Sequence, residues 1–172
     1  MKPSTEKQQV ATQEFLPFVK ELLSQSGAAS VRMTVTGRSM LPILRDRRDS
    51  VLLTNERAPQ KYDIVLFTRT NGEAVLHRII KKRADGFYII GDNECEPEGP
   101  VDPSQIIAVV KGFYRDDCFV DCNRRLCRLY AFLWCRLLPL RRPLLPLVLR
   151  CGRLVKRFER MGTEHEMDRK KI

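Results

Sequence analysis

Two dipeptides, Asn71-Gly72 and Asp85-Gly86, constrain this chain more than any other feature. Both residues of a tight hairpin turn take positive φ, which Asn, Asp and Gly tolerate, so each dipeptide marks a point where a strand reverses. Before the first, residues 63–68 read Asp-Ile-Val-Leu-Phe-Thr, a strongly apolar strand, and residues 74–80 are its return. After the second, Phe87, Tyr88, Ile89 and Ile90 start another. Residues 30–36 alternate, with Val31, Met33 and Val35 against Arg32, Thr34 and Thr36, the pattern of a half-buried strand. Residues 50–53 and 106–114 supply two more. Short strands with turn signals about every eight to twelve residues predict an all-β sandwich or barrel-like sheet.

The ends of the chain differ from this middle. In residues 12–24, Phe15, Phe18, Val19, Leu22 and Leu23 recur at helical spacing, and Gly27 stops the pattern. One short amphipathic helix packed on the domain is the expectation, since a lone helix is too little for a helix-turn-helix DNA reader. The chain thus divides into an N-terminal amphipathic helix (1–29), a β domain (30–117) and a basic, apolar tail (118–172). Residues 122–158 hold ten Arg or Lys and no acid, which equals the whole net charge of +10, so the rest balances to about zero. This is a near-neutral domain with a basic tail, not a basic domain. The six cysteines (95, 118, 122, 127, 135 and 151) match no zinc-ligand spacing and have no histidine among them. With no apolar core of signal-peptide length near the N-terminus, free thiols point to a reducing cytoplasm.

Two residues in the β domain bear chemistry. Ser39 follows Gly37-Arg38 where the strand 30–36 opens into a turn, and His77 lies on the strand 74–80. Val75, His77 and Ile79 share one face of that strand, and Leu76, Arg78 and Ile80 the other. The other histidine, His165, lies in the polar end of the tail, so His77 is the only imidazole base available to the domain. A serine hydroxyl needs such a base to become a nucleophile, and histidine titrates near neutral pH without much tuning. Taken alone the pair is weak, because a serine after glycine is more often a turn residue and a strand histidine more often a satisfied core side chain.

Four boxes in order strengthen it. Gly37-Arg38-Ser39-Met40-Leu41-Pro42, Lys61-Tyr62-Asp63-Ile64-Val65, Leu76-His77-Arg78-Ile79-Ile80 and Gly91-Asp92-Asn93 resemble the conserved boxes of the signal peptidase I-like and LexA-like serine peptidase superfamily. The resemblance covers residues 33–114. It implies a mainly β fold, a mixed, barrel-like sheet, here with a short N-terminal helix and a basic helical C-terminal segment. It implies that Ser39 is the nucleophile and His77 the base, in the position where bacterial signal peptidases and LexA-like repressors carry lysine. Histidine there is the mark of the endoplasmic-reticulum and archaeal signal peptidase branch. That branch has a carboxylate behind the histidine, and two residues compete for the role: Asp92, in the better-matched box, and Glu98, six positions later. The backbone N–H of Ser39 is the expected oxyanion donor, since Gly37 offers no side chain. An extended peptide substrate would add to the sheet, with residues 32–37 and 62–67 as its walls. No cofactor or metal is implied.

In the tail, Arg124, Arg125, Arg128 and Arg136 cluster on one arc of a helix, with Leu126, Leu129, Tyr130, Leu133, Trp134 and Leu137 over much of the rest. Pro139, Pro143 and Pro146 break any long helix, and no run reaches the roughly 18–20 apolar residues of a membrane span. Residues 124–157 fit an interfacial segment on an anionic membrane, with a layer folded back on the domain as the alternative. Nucleic acid is disfavoured, because leucines outnumber the aromatic platforms that stacking needs. The combined expectation is a serine endopeptidase for a signal, leader or precursor peptide, peripheral on the cytoplasmic face of a membrane. A catalytically silent, membrane-associated peptide-binding module is the rival reading. A self-cleaving repressor-type switch, cutting at Gly27-Ala28-Ala29, is the third.

Overall fold

The computed structural model describes residues 17, 19, 21–23 and 30–146. The expected cut at 27–29, the tail beyond 146, Cys151 and His165 lie outside the described residues. Among the described residues eight strands form one sheet: β1 (Val31–Thr34), β2 (Ser50–Thr54), β3 (Ile64–Thr68), β4 (Ala74–Arg83), β5 (Gly86–Ile90), β6 (Glu98–Val101), β7 (Ile106–Arg115) and β8 (Cys118–Asp121). Their order is β1-β2-β7-β3-β4-β5-β6, with β8 paired to β7. The fold is mainly β, as the turn signals require. Every pairing is antiparallel, narrower than the mixed sheet implied by resemblance.

The central strand β3 explains why residues 63–68 read as continuously apolar rather than alternating. It is hydrogen-bonded to β4 and β7 and buried on both faces. Ile64 and Leu66 enter one core cluster with Val35, Met40, Leu44, Val51, Leu53 and Val110. Val65 and Phe67 enter the other with Ile79, Phe87, Ile89, Val101 and Val109. Each such side chain removed from water contributes about 1.5–3 kcal/mol. Residues 17, 19 and 21–23 are helical, and Val19 and Leu23 are buried in the first cluster, the amphipathic packing expected of them.

Two strands fall where none was expected. Residues 94–102 read as an acidic loop, yet Glu98–Val101 is β6, containing Gly99 and Pro100. It lies at the end of the sheet, where a missing N–H costs little because one edge is unpaired. β8 continues the sheet past residue 117, into the stretch assigned to the tail. Beyond it, α1 (Arg125–Arg136) is the basic helix predicted over 124–138.

Two buried carboxylates fasten the loops that matter for the site. Asp49, fully buried, accepts hydrogen bonds from the Arg45 backbone (2.9 Å), Arg45 Nε (2.7 Å) and Arg115 (2.9 Å), tying the segment after Ser39 to the end of β7. Asp92, also fully buried, takes both arms of Arg78, at 2.8 and 2.6 Å, and so anchors the 91–93 turn to β4.

Each carboxylate gives a prediction. Burial pushes the Asp49 carboxyl up, but Arg45 and Arg115 more than offset this and leave it below its ordinary value. The unfolded chain therefore binds that proton more tightly, so the stabilisation is fully present above about pH 5 and is lost as pH falls through the folded value. Asp49→Asn is expected to lose about 1.5–3 kcal/mol at pH 7 and to flatten the acid limb of a stability–pH curve; an unchanged limb would contradict this. Asp92→Ala strands Arg78 unpaired in the interior and should cost about 3–5 kcal/mol in urea denaturation.

Candidate active site

β4 sets the geometry. His77 and Arg78 are successive residues of a strand, so their side chains leave on opposite faces. On the His77 face the register runs Ile79 opposite Ile89, and Ile89 opposite Glu98. Side chains that pair directly across antiparallel strands point to the same side, so Glu98 on β6 projects onto the face of His77. His77 is fully buried there, with Val65 as its cross-strand partner and the Phe67 ring centroid at 6.0 Å.

Nδ1 of His77 lies 2.6 Å from Glu98 Oε1. Arg69 holds the same carboxylate from behind through two arms, Nε to Oε2 at 2.8 Å and Nη2 to Oε1 at 3.0 Å, and gives its third contact to Glu73. Burial pushes the Glu98 carboxyl up, and the Arg69 guanidinium together with His77 outweighs it, leaving the group below the usual carboxylate range. An ionised carboxylate only accepts hydrogen bonds, so it is Nδ1 of the ring that supplies the proton of this contact. Nε2 is buried without a hydrogen-bond partner. The nearest carboxylate facing it is Glu94, with Oε1 at 3.5 Å.

Of the two acids competing to orient His77, the structure gives the contact to Glu98. Asp92 lies on the other face with Arg78, and both its oxygens are occupied there. It is a structural carboxylate, not a histidine partner.

Ser39 approaches through its main chain. Gly37, at φ +92°, turns the chain out of β1, a conformation that favours glycine, and its N–H donates to Asp46 at 2.9 Å. The Ser39 carbonyl then accepts the Asn93 N–H at 2.7 Å. Gly91 permits this approach, for a Cβ there would stand 2.7 Å from the Ser39 oxygen and 2.8 Å from Glu94 Cδ. The nucleophile box and the glycine-aspartate-asparagine box are thus locked backbone to backbone, and Glu94, next in that turn, reaches the His77 ring. No hydrogen bond joins the Ser39 hydroxyl to Nε2. The Ser39 N–H finds no acceptor among the described residues.

The expected substrate walls change. β3 is paired on both edges, to β4 and to β7, so residues 64–68 cannot receive a peptide strand. β1, at the opposite end of the sheet from β6, also has an open edge among the described residues, being paired to β2 alone. It leads straight into Ser39.

Two residues at the site were not foreseen. Arg69 reads as a turn residue before Asn71-Gly72, and Glu94 as one of several acids in a loop. The only signal for Arg69 is its charge, since Glu98 comes near it only once β6 forms. His77, Glu94 and Glu98 are also the group among the described residues whose ligand atoms lie close enough, within 4.8 Å, to meet at one cation. Both Glu98 oxygens are already engaged by Arg69, an arrangement suited to orienting a histidine.

The family model described as Peptidase S24-like matches residues 2–111. No curated protein and no solved structure matches the chain. The matched residues span most of the chain and include Ser39, His77, Asp92 and Glu98. The chain belongs to the Peptidase S24-like family.

Proposed function

We propose that the chain is a serine endopeptidase in which Ser39 attacks, His77 is the general base and Glu98 orients it. The observation that carries this reading is the 2.6 Å contact of His77 Nδ1 with a carboxylate clamped by Arg69, which leaves the opposite nitrogen buried and unpartnered. A base needs an available lone pair, and a fixed Nδ1–H supplies it by holding the tautomer. Rotation of the Ser39 hydroxyl toward Nε2, displacing Glu94 toward solvent, completes the pair. His77 takes the serine proton as Oγ adds to the scissile carbonyl, and the Ser39 N–H holds the oxyanion. The imidazolium, stabilised by Glu98, then returns the proton to the leaving amine. Water repeats the sequence on the acyl-enzyme.

Histidine as base supports placement in the histidine branch of the wider superfamily rather than among lysine-base repressors. The substrate in this reading is an extended signal, leader or precursor peptide that pairs with the open edge of β1 and presents its scissile bond at Ser39. A rival, the silent peptide-binding module, would use the same edge without the chemistry.

Cleavage of a peptide library, followed by mass spectrometry, separates the two. Ser39→Ala and His77→Ala should each lower kcat/KM by about a thousandfold or more, Ser39→Ala with unchanged thermal unfolding and the buried His77→Ala with a lowered melting temperature, and Glu98→Gln by at least about a hundredfold, since it loses the tautomer control. Glu94→Gln should stay within about tenfold of wild type, because it makes no oriented bond to the ring. Equal cleavage by wild type and the Ser39 and His77 variants would defeat the enzymatic reading.

A further inference from the structure

The helix α1 has two faces with separate partners. Its inner face is spent on the domain. Ala131 and Trp134 are buried, and Arg128 donates to Asp63 (2.9 Å) and to the Lys61 carbonyl (3.1 Å). Tyr130 stacks on Trp134 at 5.9 Å, and Phe132 meets Tyr62 edge-on at 6.0 Å. Two residues, Trp134 on the helix and Arg141 after it, reach the turn of the candidate site. Trp134 Nε1 donates to the Asp92 carbonyl at 3.0 Å, and the buried Arg141 donates to the carbonyls of Gly91 (3.0 Å) and Glu94 (3.1 Å).

The outer face is apolar and positive. Among the described residues, every large hydrophobic side chain that is exposed falls between 119 and 140. They are Phe119, Leu126, Leu129, Phe132, Leu133 and Leu140, from 39 % exposed at Phe132 to 80 % at Leu126. Leu126, Leu129 and Leu133 recur at i, i+3 and i+7, a stripe within roughly 60° of arc at 100° per residue. Arg125 and Arg136 flank it, Arg124 precedes it, and all three are exposed. None of the three has an acidic partner among the described residues, and residues 122–146 contain no acid.

We infer that this outer face is a docking surface for an anionic lipid bilayer, on which the Leu126–Leu129–Leu133 stripe enters the interface while Arg124, Arg125 and Arg136 reach the phosphates. A helix with leucines along one line and unpaired arginines beside it has the composition of an interfacial segment. Each arginine near an anionic surface adds attraction, and its aliphatic stem lies along the apolar boundary as the charge stays wet. Charge also selects among occupants. A second copy meeting on a twofold axis would set these arginines against one another without an acid to pair them. Nucleic acid would satisfy the arginines and leave the leucines in water. An anionic bilayer satisfies both. Because Trp134 and Arg141 hold residues 91–94 from the inner face of the same segment, docking seats the candidate site beside the lipid surface. The docking itself does not depend on the peptidase reading.

The test uses the full chain in flotation with phosphatidylcholine vesicles, with or without about one third phosphatidylglycerol. Wild type should float with the anionic vesicles alone, and raising salt from 0.1 to about 0.5 M should weaken the association, because the Debye length shortens. The pairs Leu126→Glu with Leu133→Glu, and Arg124→Glu with Arg125→Glu, should each weaken it by about tenfold or more while leaving the melting temperature unchanged, as all four side chains face solvent. Ser39→Ala should float like wild type, which separates docking from catalysis. Wild type that remains unbound, or variants that float as well as wild type, would overturn the assignment. So would a dimer in light scattering that Leu126→Glu with Leu133→Glu converts to monomer, for the face would then belong to a second copy.

Discussion

β4 carries a histidine and an arginine side by side, and its pleat sends them to opposite faces of the sheet. Each is buried, and each meets its own carboxylate: His77 with Glu98, Arg78 with Asp92. This separation organises the domain. On one face, the Arg78–Asp92 pair fastens the 91–93 turn, and through Asn93 that turn holds the Ser39 main chain. On the other, Glu98 and Arg69 fix the ring of His77. Exchange of the two acids is not open to this sheet, because shifting β4 by one residue would send each of its side chains into the opposite core cluster.

Much of this was legible in the chain. The Asn71-Gly72 and Asp85-Gly86 turns fixed the β3–β4 and β4–β5 hairpins, and the alternation around His77 already placed 77 and 78 on different faces. That alternation also bears on which acid can reach the imidazole, but only once the acid's own strand is known. Glu98 lies in Glu-Gly-Pro-Val, a stretch whose glycine and proline argue against a strand, and it becomes one by adding to the end of the sheet, where the pairing demand is halved. Local propensity cannot see that. Arg69 was hidden for the same reason, since its partner arrives 29 residues later in the chain. The open edge of β1 and the closed edges of β3 were likewise matters of strand order, which periodicity does not encode.

The C-terminal segment illustrates a different limit. Its arginines looked alike in sequence, yet they divide by role. Arg128 and Arg141 face inward, onto Asp63 and onto the carbonyls of Gly91 and Glu94. Burial lowers the Arg141 pKa, the cost of using a guanidinium as a scaffold in the interior. Arg124, Arg125 and Arg136 remain outside. The two expectations for this tail, a layer folded on the domain and a surface for lipid, therefore describe two faces of one helix. The first is present in the contacts, and the second is the reading of what those contacts leave uncovered.

The central claim is that Glu98 fixes the proton of His77 on Nδ1 and leaves Nε2 available to Ser39. Proton NMR of protein labelled with ¹⁵N-histidine tests it without knowledge of the substrate. A short N–H···carboxylate bond predicts a low-field resonance coupled to the His77 Nδ1 nitrogen, present in wild type and in Ser39→Ala and lost in Glu98→Gln. A wild-type spectrum in which the ring proton resides on Nε2, or a low-field signal untouched by Glu98→Gln, would contradict the account.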